Sequence, residues 1–173
     1  MDIYLLGYMG SGKTTIGQLL AKQIGYDFVD YDQFISQKEN ASISDVFTAK
    51  GEIYFRKKEA LYLKELLKET KTKKIVSLGG GTPCYGNNMQ DIKDSNVISV
   101  YLNVPVTELT RRLWDEKSQR PLIANQESKE ALEEFVRKHL FERSFYYNQA
   151  SKVIKVNGQN ESQIVEEIIA TLF

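Results

Sequence analysis

Eight residues near the amino terminus, Gly7-Tyr8-Met9-Gly10-Ser11-Gly12-Lys13-Thr14, have the types and spacing needed to hold a polyphosphate. Glycines let the backbone curl until successive N–H groups face one centre, and the positive end of a following helix adds to the attraction for anions. Lys13 brings a point charge for the β- and γ-phosphates, and Thr14 brings a hydroxyl suited to Mg²⁺. The alternative is a glycine-rich turn that binds nothing. Context favours a phosphate-binding loop, because an apolar run (Ile3, Tyr4, Leu5, Leu6) precedes it and an amphipathic one (Ile16, Leu19, Leu20, Ile24) follows. These are the strand and helix that such a loop requires.

Phosphoryl transfer also needs carboxylates, one near Mg²⁺ and often another that orients or deprotonates the acceptor hydroxyl. Asp30 and Asp32, at the end of an expected strand Tyr26–Asp32, would share a face because strand side chains alternate. They can equally be caps of the next helix, a position that Asp favours. Arg56 falls on a helical stripe with Ala60, Leu63 and Leu67, and Arg143 on one with Leu132, Val136, Leu140 and Tyr147. A permanent charge on a core-facing stripe needs a partner. Two such arginines can converge on one carboxylate in bidentate fashion, or each can pair internally with an acid such as Glu52 or Glu142. Gly79-Gly80-Gly81 is a flexible turn or a stretch of bare main chain that a hydroxylated ligand can reach. Arg120, in a polar segment beside Pro121, is a solvated loop charge or an arginine supplied in cis to the phosphates. His139 reads as a core-edge residue and Cys84 as structural.

Alternating strand and helix patterns must position these groups. Gly25 stops the first helix, and Ser42 with Asp45 opens helical pieces that run to residue 50. A longer amphipathic helix is expected from Glu52 to Lys68, then a strand Ile75–Leu78 ended by the triglycine. Val97–Leu102 is a nearly continuous apolar run, as suits a strand covered on both faces. Pro105 sits at the start of a helix carrying Val106, Leu109 and Leu113. Residues 115–126 break that pattern with polar composition and are expected to form a lid. A helix over Ser128–Gln149, a strand Val153–Val156 and a helix over Ile164–Leu172 complete the chain. Such alternation implies an α/β fold, a parallel sheet with helices on both faces, whose ligands bind beyond the carboxyl ends of the strands.

At 173 residues the chain fits one domain, residues 1–173, with 42% hydrophobic and 27% charged residues. Lys+Arg and Asp+Glu both number 23, so no global field favours nucleic acid. A single cysteine excludes an intramolecular disulfide framework and suits a reducing setting. The loop begins within the first ten residues and no apolar run approaches a bilayer's thickness. A cytoplasmic monomer without membrane or nucleic-acid partners is expected.

Taken in order, Gly-x-x-Gly-x-Gly-Lys-Thr at 7–14, Asp30-x-Asp32, Phe55-Arg56, Gly79-Gly80-Gly81, Arg120-Pro121-Leu122 and Arg143-x-x-x-Tyr147 closely resemble the shikimate kinases. Charge and periodicity alone reach only a small P-loop kinase for an anionic, hydroxylated acceptor. The resemblance implies ATP-dependent phosphorylation of the 3-hydroxyl of shikimate in aromatic amino-acid biosynthesis. It implies a three-layer α/β/α fold of nucleoside-monophosphate-kinase type, with five parallel strands in order 2-3-1-4-5. Asp32 would orient the hydroxyl and take its proton. Arg56 and Arg143 would hold the shikimate carboxylate, and Gly79, Gly80 and Gly81 its hydroxyls. Lys13 and Arg120 would neutralise the moving phosphoryl group. Gly10, Ser11, Gly12, Thr14, Thr15 and Arg112 would bind ATP, with Thr14 and Asp30 at Mg²⁺. One departure stands out: the family's arginine after the last strand is missing from Val156-Asn157-Gly158-Gln159-Asn160, which bears on the adenine contacts. A gluconate-type small-metabolite kinase shares the loop and size, and a non-catalytic nucleotide-binding regulatory module would share the loop alone. The absent Asn-Lys-x-Asp motif argues against a signalling GTPase.

Overall fold

A computed structural model describes residues 1–173. Five strands, β1 (Asp2–Leu6), β2 (Asp27–Asp30), β3 (Lys74–Ser77), β4 (Val97–Asn103) and β5 (Lys152–Lys155), form one parallel sheet in the order β2-β3-β1-β4-β5. The central strand explains the burial. Successive side chains of a strand point to opposite faces, yet Ile3, Tyr4, Leu5 and Leu6 are all buried, so helices cover both faces. Each such Leu or Ile contributes about 1.5 to 3 kcal/mol of hydrophobic stabilisation.

Seven helices surround the sheet: α1 (Lys13–Ile24), α2 (Tyr31–Glu39), α3 (Ile43–Lys68), α4 (Asn88–Asp94), α5 (Val106–Glu116), α6 (Lys129–Tyr147) and α7 (Glu161–Leu172). Helix α1 ends at Gly25, whose N–H caps the Ala21 carbonyl. Within α3, Gly51 leaves helical geometry at φ 83° and ψ 170°, which is the expected division between the pieces before residue 50 and the helix after Glu52. Ser42 caps the first piece by accepting the Asp45 N–H. At α7 the box is complete: the Asn160 side chain accepts the Gln163 N–H while Gln163 reaches back to the Asn160 N–H.

Two boundaries and one helix differ from expectation. Strand β2 stops at Asp30 rather than Asp32, because the Asp30 carboxylate accepts the Gln33 N–H and starts α2 there. Asp30 and Asp32 are therefore a cap and a first-turn residue, not neighbours on one strand face. Helix α5 continues through Glu116, so the segment 115–126 begins inside it, passes through a 3₁₀ turn at Lys117–Gln119 and buries Ile123 completely. Helix α4 was not expected, since seven residues with only Met89 and Ile92 as buried apolar anchors carry little periodic signal. No helix is long and apolar enough to cross a membrane.

Candidate active site

The P-loop joins β1 to α1 at the carboxyl edge of the central strand. Gly10 and Gly12 sit at φ 78° and 90°, a left-handed conformation that other residues adopt only at a cost. Buried Lys13 folds over this loop and donates to the Gly7 carbonyl at 2.7 Å, the Tyr8 carbonyl at 3.0 Å and Ser11 Oγ at 3.4 Å. Burial lowers its pKa to about 8, so the ammonium is still charged at neutral pH. A cavity of about 640 Å³ opens above the loop, with Gly10, Gly12, Thr14 and Thr15 on one wall. Thr14 Oγ1 lies 3.3 Å from Asp30 Oδ2 at its edge. Two hard oxygen donors this close suit Mg²⁺, which keeps several waters and needs only one or two protein ligands beside phosphate.

Asp32 enters the same cavity from the first turn of α2. Its carboxylate opens to the cleft, yet the surrounding walls exclude enough water to raise its pKa, and Asp30 and Glu59 push it further in the same direction. Lys13 and Arg56 oppose the shift. A second cavity of about 380 Å³ continues from the first, bounded by Arg56 on α3, Arg143 on α6 and the triglycine after β3. Met9, Asp32, Gly79, Gly80 and Arg120 belong to both.

Each glycine of the triplet makes room for a different charged group. A Cβ at Gly79 would lie 2.8 Å from Asp32 Oδ1, one at Gly80 would lie 3.1 Å from Arg143 Nη1, and one at Gly81 would lie 3.1 Å from Arg56 Nη2. The absence of side chains thus lets three charged side chains close on one stretch of main chain. Tyr147, one turn past Arg143, donates its hydroxyl to the Gly80 carbonyl at 2.5 Å and fixes that stretch to α6.

The two arginines are held differently. Arg56 Nη1 donates to Glu59 Oε1 at 2.8 Å, while Glu52, the acid expected from sequence, stays 3.9 Å from Nε. Arg143 forms no salt bridge; its guanidinium faces the Tyr8 ring at 5.8 Å, and Glu142 does not pair with it. The Tyr8 hydroxyl meets His139 Nδ1 at 2.9 Å, tying the P-loop to α6. That is the core-edge role expected of His139. Half-buried Cys84 has its thiol pushed up to about 11 by burial, which leaves it a poor nucleophile.

Arg120 lines both cavities and is held by Glu116 through Nε at 2.9 Å and Nη2 at 2.7 Å. Arg112 borders the far end of the P-loop cavity, where a further cavity of about 530 Å³ lies between Pro105, Ser11 and the loop after β5. Its Nη1 donates to the Gly10 carbonyl at 3.0 Å and its Nε to Glu108 at 2.9 Å, and Glu108 also takes Arg111. Those partners hold the Glu108 carboxyl down at about 2, Arg111 first among them. Where an arginine is missing after β5, the Gln159 side chain donates to Lys155 O and to Glu167, both at 3.1 Å.

All the site residues expected from sequence therefore border one continuous cleft. Sequence reasoning missed the groups that hold them: Glu59, three residues past Arg56 on the same helix; Glu116, four before Arg120; and Tyr85 beside Arg56. Helical spacing was the available signal for Glu59, whereas Arg120 lies past the end of the helix that carries Glu116.

Comparison with known proteins agrees with this arrangement. The sequence model of the family described as shikimate kinase matches residues 9–173. A shikimate kinase of Flavobacterium johnsoniae is 45% identical over 170 residues, covering 98% of both chains. Among solved structures, shikimate kinase from Bacteroides thetaiotaomicron superposes with TM-score 0.89 at 31% identity, covering 99% of this chain and 98% of its own. One from Acinetobacter baumannii in complex with shikimate gives TM-score 0.85 at 32% identity, covering 99% and 92%. Neither the gluconate-type kinase nor the regulatory module is favoured by these likenesses. A match that runs from inside the P-loop to the last residue, with relatives aligned almost end to end, makes this chain a member of the shikimate kinase family.

Proposed function

We propose that the chain transfers the γ-phosphoryl group of ATP to the 3-hydroxyl of shikimate, giving 3-phosphoshikimate and ADP. The observation that carries this reading is the shared wall of the two cavities, where Asp32, Gly79, Gly80 and Arg120 border both the phosphate side and the arginine-lined side. A donor in one cavity and an acceptor in the other would meet there. The A. baumannii relative binds shikimate.

In this scheme Gly10, Ser11, Gly12, Lys13, Thr14 and Thr15 hold the phosphates, and Arg112 borders the base. Arg143, free of any acid, and the edge of Arg56 not taken by Glu59 bind the shikimate carboxylate. Main chain at Gly79 to Gly81 meets its hydroxyls. Asp32 orients the 3-hydroxyl and accepts its proton, a task helped by its raised pKa, since a stronger base takes a proton more readily. The acceptor oxygen then bonds to the γ-phosphorus as the bond to the β–γ bridging oxygen breaks, and ADP departs. The transition state is loose, so positioning and charge neutralisation by Lys13 and Arg120 supply most of the catalysis. Mg²⁺, held by Thr14 with Asp30 nearby, would neutralise phosphate charge when bound. The chain is proposed to work as a monomer, because its own residues complete the cleft, and in the cytoplasm, whose reducing setting suits its single cysteine.

Coupled measurement of ADP release tests the reading. Saturable, Mg²⁺-dependent release on adding shikimate is expected, with none on adding gluconate. Release that ignores shikimate overturns it. A single 20 kDa species in light scattering is expected for the monomer, given the 19.9 kDa chain.

A further inference from the structure

Arg56 is fixed by two kinds of contact, and only one of them is ionic. Glu59, with 2% of its side chain exposed, takes Arg56 Nη1 on one oxygen at 2.8 Å and Thr82 Oγ1 on the other at 2.8 Å. This edge contact sets where the guanidinium sits but leaves its plane free to swing about the hydrogen bond. The buried Nε finds no hydrogen-bond partner that would stop the swing, since Glu52 Oε1 comes no nearer than 3.9 Å. Tyr85 does so: Arg56 Cζ lies 3.6 Å from the centroid of its ring, a direct stack, whereas Phe55 is 5.2 Å away. Flat guanidinium on an aromatic face combines dispersion with attraction to the ring's negative face.

Tyr85 is itself held in place. It follows the 3₁₀ turn Thr82–Cys84, whose first residue is gripped by Glu59 and by Asn88, which donates to the Thr82 carbonyl at 2.8 Å. The bare Cα of Gly81 makes the stack possible, since a Cβ there would lie 3.3 Å from Tyr85 Cε2 and 3.1 Å from Arg56 Nη2. One short segment after β3 thus supplies main chain to the cleft and an aromatic platform behind it.

We propose that Tyr85 is a positioning residue for the acceptor: its ring holds the plane of Arg56 so that the Nη2 edge faces the acceptor carboxylate. This rests on the acceptor reading given above. Tyr85 touches no reacting atom, so its loss weakens acceptor binding and leaves the transfer step intact. With Tyr85 36% exposed, its replacement does not open the core.

The test compares Tyr85→Leu with Tyr85→Phe. The leucine variant is expected to raise the KM for shikimate about 3- to 10-fold, the range for a partly exposed cation–π contact. Its kcat and its KM for ATP stay within about twofold, a split that loss of a cation–π contact behind the acceptor implies. Phenylalanine, which keeps the ring face and loses only the hydroxyl, restores the original KM. In an Arg56→Lys background the leucine substitution has no further effect, because the planar group it positions is gone. An unchanged KM in Tyr85→Leu, a phenylalanine variant as impaired as leucine, or an undiminished effect beside Arg56→Lys each overturns the proposal. Independently of turnover, ¹⁵N relaxation of the Arg56 Nε–H in the ligand-free protein is expected to show order with Tyr or Phe and mobility with Leu. Absence of any shikimate-dependent ADP release by the unsubstituted chain would be a failure of the function, whereas equal Arg56 order in all three proteins would be a failure of Tyr85's role.

Discussion

The two halves of the cleft hold their cations in opposite ways. On the nucleotide side every cation is already engaged by a group that competes with phosphate: Lys13 by the Gly7 and Tyr8 carbonyls, Arg112 by Glu108 and the Gly10 carbonyl, Arg120 by Glu116. On the acceptor side Arg143 has no acid at all, and Arg56 is held by Glu59 and Tyr85 so that one edge stays open. Binding a nucleotide therefore means exchanging partners, while binding the acceptor means filling a place kept ready. The physical reason lies in ligand charge. A polyphosphate with Mg²⁺ gains enough electrostatic energy to displace weak internal partners, whereas a single carboxylate gains less and depends on preorganisation.

The largest effect should come where the halves meet. Asp32→Asn removes the proposed proton acceptor and is expected to cut turnover about 10²- to 10⁴-fold. Single-turnover kinetics would measure it, with ATP binding unchanged by titration. Normal turnover would strip Asp32 of its role.

Next in size are the two guanidiniums. Arg143→Ala should weaken acceptor binding by about 2 to 5 kcal/mol, read as a raised KM, with ATP affinity intact. Its melting temperature should change little, because no acid loses a partner. Arg56→Ala should weaken the acceptor too, and also lower the melting temperature, because buried Glu59 is left without its counter-charge. Equal thermal losses in the two variants would erase the distinction between them.

A smaller effect separates the nucleotide side. Because the free Lys13 pKa is lowered to about 8, the group is partly neutral above that pH, and phosphate contact raises its pKa again. Nucleotide binding should take up a proton fraction near about pH 8.5 and little near about pH 7. Calorimetry in buffers of different ionisation enthalpy measures it as the difference from Lys13→Met. Release instead of uptake in that difference would contradict the sign. The smallest effect belongs to Glu116→Gln, which frees Arg120 from a partly exposed pair. ATP affinity should tighten by about 1.5- to 5-fold, matching the worth of such pairs. Weaker ATP binding would mean that Glu116 helps the nucleotide rather than competing with it.

Much of this was legible because it is local. Lys13 and its glycines are adjacent in sequence, so the cradle is a property of eight residues. The order of strands and helices followed from hydrophobic period and punctuation, and the break at Gly51 fell where composition placed it. Asp30 and Asp32 were found for a reason that the structure corrects, since a capping hydrogen bond ended the strand before the alternation could operate. Arg56 has an acid one turn to either side, Glu52 before it and Glu59 after it; both lie within reach on a helix, and burial against Thr82 makes Glu59 the close partner at 2.8 Å while Glu52 stays at 3.9 Å. Nothing in the spacing of Tyr85, or of Tyr8 and His139, announced their contacts.

The amino-acid sequence by itself determined the phosphate cradle, the parallel α/β architecture and the identity of the charged groups, because each is written in short-range pattern. Tertiary structure alone decided which partner each charge keeps and that the two cavities share a wall. Those outcomes depend on how closely segments tens of residues apart approach, and the three bare Cα positions at Gly79, Gly80 and Gly81 set that approach for Asp32, Arg143 and Arg56.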